Sequence, residues 1–176
     1  YASTGAFLER QLPDVEKCLV LDVRLPGLSG LDFQAQLSKS DRELPVIFMT
    51  GHGDIPMTVR AMKAGAIDFL AKPFRDQDML DAVAAALEKD RIRRRDLHEV
   101  LRVQDLYRRL TPRERQVMDH VAAGLMNKQI AGEIGLSEIT VKIHRSNLMR
   151  KLGVRTVAEL VRIAAILQAH PIRESI

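Results

Sequence analysis

The stretch CLVLDVRLPGLSG, from Cys18 to Gly30, decides the fold of the first half of the chain. It sets a short apolar run, residues 18–21, directly against a carboxylate, Asp22, and then against a turn containing Pro26, Gly27 and Gly30. A short apolar run closed by a turn suits a strand buried on both faces. Two more such runs follow at 46–49 and 66–70, and helical patterns stand around them at 3–11, 31–38 and 56–64. Strands alternating with helices indicate βαβ units and a parallel sheet. Pro45 and Pro73 fall at strand edges, where a missing N–H is tolerated.

In parallel α/β sheets, chemistry collects at the carboxyl ends of the strands. Asp22 closes the first strand, Thr50 the second and Lys72 follows the third. A carboxylate, a hydroxyl and an ammonium are therefore expected along one edge. That set suits phosphoryl transfer onto a carboxylate, with Asp22 as nucleophile, Thr50 donating to one phosphoryl oxygen and Lys72 neutralising another. Any one of them alone is an ordinary polar residue at a strand end. Their succession, together with the pattern D-x-x-x-P-G-x-x-G from Asp22 to Gly30, carries the reading. His52, in Gly51-His52-Gly53, is expected to be a loop histidine beside this edge and not a catalytic base.

From Arg75 the period changes. Leu80, Val83, Ala84 and Leu87 recur at helical spacing, as do Leu97, Leu101, Leu106 and Leu110. Neither Gly nor Pro occurs between 75 and 110, so one long helix is expected to form a linker. Its charged stretch 89–96 is the expected break or exposed segment. Beyond it the chain reads as wholly helical. Thr111-Pro112-Arg113-Glu114 combines an N-cap hydroxyl, a Pro at the first helical position and a Glu three residues after the cap. Gly124 ends that helix. Asn127 is expected to cap a second, ended by Gly135; Ser137 caps a third, ended by Gly153; Thr156 starts a fourth, up to about residue 168.

Composition separates the two halves. Residues 1–87 carry 9 Lys/Arg against 12 Asp/Glu, whereas residues 88–176 carry 18 against 11. A basic second half suggests a polyanionic partner, since Lys and Arg that neutralise phosphates release counterions. Cys18 is the single cysteine, which excludes an intrachain disulfide and fits a buried reduced thiol. The absence of a long apolar run or a signal-peptide pattern leads to the expectation of a cytoplasmic protein without a membrane partner.

In the helical module, the helix from Ser137 places Val141, His144, Leu148 and Leu152 on one face, expected to pack inward. Lys142, Ile143, Ser146, Asn147 and Arg150 share the other face, expected to enter the major groove as the second helix of a helix-turn-helix. Lys142 suits guanine or phosphate oxygens and Ile143 a thymine methyl. Lys128, Arg145 and Lys151 are expected as phosphate clamps or rim charges, and Thr140 completes the set of candidate DNA contacts.

The stretch 21–30, the segment MTGHGDIPMTVRAMKAGAIDFLAKPF (49–74) and the module 110–164 together resemble the FixJ-like branch of the NarL/LuxR-type response regulators. The resemblance covers nearly the whole chain. It implies an α/β receiver with a partial flavodoxin-like parallel sheet (1–87), a helical linker (88–109) and an all-α, four-helix LuxR-type helix-turn-helix domain (110–176). It implies phosphorylation of Asp22 by a sensor histidine kinase, and a switch in which Thr50 and the aromatic Phe69 reorient together. Base contacts are implied at Lys142, Ile143 and Ser146, with dimerisation through the last helix. The function implied is that of a DNA-binding transcriptional activator, not an enzyme, acting on double-stranded DNA with RNA polymerase as a further partner.

Such receivers hold Mg²⁺ with an acidic pair from an earlier strand, the phosphoacceptor and a backbone carbonyl two residues after it, here Arg24. This sequence lacks the acidic pair; Asp14 and Glu16, in the loop before the Asp22 strand, do not replace it. The expectation is a sequence that is N-terminally incomplete relative to the family. Two alternatives stay open. One is a constitutive DNA-binding protein whose receiver serves only as a dimerisation platform. The other is a phosphoaspartyl phosphatase, disfavoured because Arg24 stands where those enzymes carry a second Asp.

Overall fold

The computed structural model describes residues 4–25, 28–39, 43–51 and 55–172, with Ser38 described by its backbone. The chain forms two compact units, residues 1–94 and 95–176. In the first, α1 (Thr4–Glu9), β1 (Leu19–Asp22), α2 (Gly30–Lys39), β2 (Val46–Thr50), α3 (Ile55–Lys63) and β3 (Asp68–Ala71) precede α4 (Asp76–Arg108), which crosses the boundary between the units.

The strands form a parallel sheet in the order β1-β2-β3, with Asp22 beside Met49 and Thr50 beside Ala71. Strand alternation sends side chains to opposite faces. Leu21, Val46 and Phe48 pack with Phe7, Phe33 and Leu37 on one side, while Ile47 and Leu70 pack with Ala82 and Ala86 of α4 on the other. Burial on both faces thus explains the apolar run of β2; β1 differs from the expectation above, its Val20 being 37% exposed. The third strand starts later than its apolar run, because the turn at Ala64-Gly65, with Gly65 at φ 88°, occupies the residues just ahead. Ile67 still joins the sheet edge by donating its N–H to the Val46 carbonyl at 2.7 Å.

The charged stretch of α4 does not break the helix, contrary to the expectation above. Ion pairs at i,i+3 run along it: Arg91–Glu88, Arg93–Asp90, Arg102–Glu99 and Arg108–Asp105, a spacing that supports a helix face. Nor is the stretch wholly exposed. Asp90 is fully buried, accepting Nε and Nη2 of Arg93 at 3.0 and 2.8 Å and the Lys17 backbone N–H at 3.1 Å. Arg94 reaches Asp14 at 2.6 Å in the same loop ahead of β1. Burial and the Asp90 charge push the thiol of the neighbouring, half-buried Cys18 above the ordinary thiol range.

The second unit packs the end of α4 (Val103, Leu106, Tyr107) with α5 (Pro112–Ala122), α6 (Asn127–Ile134), α7 (Glu138–Leu152) and α8 (Val157–Ala169). Val117, Met118, Ile130, Val141, Leu148, Leu152 and Leu160 form its core. The caps at Thr111, Ser137 and Thr156 accept from the N–H groups of Glu114, Thr140 and Glu159, as their spacing requires. The second cap differs from expectation. Met126 is the N-cap of α6 and Asn127 its first helical residue; Gln129 closes the turn by accepting the Met126 N–H at 2.8 Å. The turn between α6 and α7 needs Gly135, whose φ of 65° lies in the left-handed region.

Candidate functional sites at the sheet edge and on helix α7

Asp22 ends β1, and the chain immediately turns back. The Gly30 N–H donates to the Val23 carbonyl at 2.9 Å, and Arg24 bridges to Ser29. A Cβ at Gly30 would lie 2.5 Å from the Asp22 carbonyl oxygen, so this position admits no side chain. The Asp22 carboxylate is held on both oxygens. Lys72 Nζ donates to Oδ2 at 2.8 Å, and the Arg24 backbone N–H donates to Oδ1 at 2.9 Å. These two donors, Lys72 foremost, hold the Asp22 carboxyl below its ordinary range. The Lys72 N–H donates to the Thr50 carbonyl at 2.7 Å, tying the second and third strand ends together. Thr50 itself is fully buried, and Phe69 is half-buried with its ring 6.3 Å from that of Phe48. The sequence-derived trio therefore does reach one sheet edge, with Asp22 and Lys72 in direct contact. Pro26, Gly27 and His52 lie outside the described residues. Among the described residues no three His, Cys, Asp or Glu side chains gather as a metal site.

On α7, Val141, Leu148 and Leu152 are buried, and His144 is half-buried on their face. Lys142, Ile143, Ser146 and Arg150 are exposed; Asn147 is half-buried and accepts from Arg150 at 3.0 Å. Thr140 belongs to the cap of α7, its N–H and hydroxyl both at Ser137 Oγ. Lys128 is exposed in the first turn of α6. Two cations expected as phosphate clamps or rim charges have partners within the unit. Lys151 donates to Glu114 Oε2 at 2.6 Å and to the Arg109 carbonyl at 3.3 Å. Arg145, half-buried, donates from Nη1 to Asn127 Oδ1 at 2.8 Å.

Glu114 is only 3% exposed. Burial pushes its carboxyl up, but Lys151 and the Thr111 N–H and hydroxyl outweigh burial and hold it below the ordinary range. The capping box was visible in sequence; the second partner of Glu114 was not.

Residues 108–164 match the family described as bacterial regulatory proteins, luxR family, and residues 3–84 match the response regulator receiver domain. The chain is 57% identical over 167 residues to Nodulation protein W of Bradyrhizobium diazoefficiens, covering 95% of this chain and 74% of that protein. It is 45% identical to the response regulator protein TodT of Pseudomonas putida, covering 93% and 72%. Among solved structures it matches the response regulator StyR with a TM-score of 0.80 and 49% identity, over 94% of this chain and 83% of that one. The chain belongs to the LuxR-type response regulators, with a receiver domain and a DNA-binding helix-turn-helix domain, and is a transcriptional regulator of the two-component class.

Proposed function

We propose that this regulator is phosphorylated on Asp22 by a sensor histidine kinase and acts as a transcriptional activator in the cytoplasm. The observation that carries this reading is the Asp22 carboxylate, kept ionised by Lys72 at the carboxyl edge of a parallel sheet. An ionised oxygen is the nucleophile that attack on phosphorus requires, and the ammonium beside it offsets the charge that a phosphoryl group brings. Thr50, at the neighbouring strand end, is the donor assigned to a phosphoryl oxygen, and Phe69 the aromatic that moves with it. The domain division we adopt is receiver 1–87, linker 88–109 and DNA-binding domain 110–176. No described helix is long and apolar enough to cross a membrane.

Mg²⁺ is the cofactor that phosphorylation of a receiver calls for. The donors assigned to it here are the Asp22 carboxylate and the Arg24 backbone carbonyl, which fall short of an octahedral shell.

In the second domain, Lys142, Ile143 and Ser146 are assigned to base edges in the major groove, with Asn147 and Arg150 on the same groove-facing side and Thr140 and Lys128 flanking them. The exposure of Lys142, Ile143 and Ser146 on a capped helix supports this. Val157 and Val161, exposed on α8, support pairing of two copies on DNA, and RNA polymerase is the partner an activator implies.

The test uses the full chain, labelled acetyl phosphate, and a duplex that the chain itself enriches from a randomised pool. Base-labile label is expected on the chain and not on Asp22→Asn, and the phosphodonor should lower the protein concentration that gives a footprint. A labelled chain whose footprint ignores the phosphodonor would leave a constitutive DNA-binding protein. Turnover of common phosphoesters would favour a phosphatase.

A further inference from the structure

The hydrogen bond between Arg145 and Asn127 joins the two helices of the helix-turn-helix across its turn. Asn127 begins α6, Arg145 lies at the middle of α7, and both side chains are half-buried. The apolar contacts that Ile130 and Val141 make in the core are non-directional. A planar guanidinium donating to an amide oxygen at 2.8 Å is directional, and its partial burial protects it from screening. Arg145 also sits between Lys142 and Ser146, so the rotation it fixes is the one that aims those two side chains.

We infer that Arg145 and Asn127 form a positioning pair that sets the rotation of α7 for base reading, so that Arg145 acts through Asn127 and not as a phosphate clamp. This deepens the assignment of α7 as the base-reading helix and rests on it. A direct phosphate contact and a positioning bond differ in a measurable way. Loss of a phosphate contact removes about 0.9 from the slope of log affinity against log salt concentration; loss of a positioning bond leaves that slope unchanged.

Arg145→Ala, Asn127→Ala and the double variant of the full chain would be titrated by fluorescence anisotropy. The probes are the duplex enriched from a randomised pool by the unsubstituted chain and a scrambled duplex of equal length, each across a salt series. Each single variant should lose about tenfold in affinity for the enriched duplex, the double variant should lose no more than either, and the salt slopes should match the parent. Binding to the scrambled duplex should stay within about twofold, because non-specific binding rests on phosphate charge. Each variant is normalised to its folded fraction by circular dichroism, and Asn127→Ser replaces Asn127→Ala if the latter melts below the assay temperature. Multiplicative losses in the double variant would overturn the pairing. A slope lowered in Arg145→Ala alone, with Asn127→Ala binding as the parent does, would return Arg145 to the phosphates. Failure of the unsubstituted chain to enrich any duplex would instead overturn the base-reading assignment, and the positioning role with it.

Discussion

Replacing Lys151 by Met removes the ammonium facing Glu114 while retaining most of the aliphatic stem. Glu114 is 3% exposed, so its carboxylate would be left buried with the Thr111 backbone N–H as its donor at 2.7 Å. Breaking a buried ion pair by removing one partner costs about 3–5 kcal/mol. The Lys151 side chain is 33% exposed, and the remaining cap bond compensates in part, so about 2–3 kcal/mol is the expected loss at neutral pH. For a unit of this size each kcal/mol corresponds to roughly 4–8 °C in melting temperature. Calorimetry of the full chain should therefore show the transition of residues 95–176 lowered by at least about 8 °C, with that of residues 1–94 unmoved.

The pH dependence sharpens the test. In the parent, Glu114 lies below its ordinary range when folded. Its contribution is thus present above the unfolded value and is lost as pH falls through the folded one. Burial is already the largest single influence on Glu114; without Lys151 it is no longer outweighed and raises the folded value, so protonation then favours the folded state. The gap between parent and variant should narrow as pH falls below the ordinary glutamate range. A gap that is independent of pH, or a shift under about 2 °C, would refute the account of Glu114 as a buried, charge-dependent anchor.

Two further outcomes follow from the sheet edge. Gly30→Ala should destabilise the first unit by about 1–3 kcal/mol, because its Cβ meets the backbone at Asp22, and amide exchange at residues 22–30 should rise with it. Lys72→Met should move the Asp22 carboxyl upward towards its ordinary range, since Lys72 is the foremost cause of its depression; a carboxyl-carbon NMR titration that finds no upward movement would discard that cause.

Much of this architecture is legible locally. Asp22, Thr50 and Lys72 announce themselves because each follows an apolar run whose length marks a buried strand. Thr111, Ser137 and Thr156 do so because a cap and its partner sit within one turn. Asn127 misleads for the same reason: a residue type favoured at caps stands at a helix start, but its oxygen serves Arg145. That bond, like the one from Lys151 to Glu114, joins residues far apart in the chain, and no local pattern encodes it. The stretch around Asp90 shows the opposite failure. Its i,i+3 ion pairs are readable as support for the helix, yet the density of charge suggests a break or an exposed segment, and the burial of Asp90 depends on a loop more than seventy residues earlier.

Asp90 also acts as an index mark for α4. Slid by one turn, the helix would present Ala86 or Arg94 where Asp90 now meets the Lys17 N–H, and neither offers a side-chain acceptor. The same slip would carry Asp78 into the seat of Ala82 or Asp90 into that of Ala86, both of which pack against the apolar sheet. The buried carboxylate and the two alanines together therefore separate one seating of the helix from those a turn away, a gain in uniqueness more than in stability.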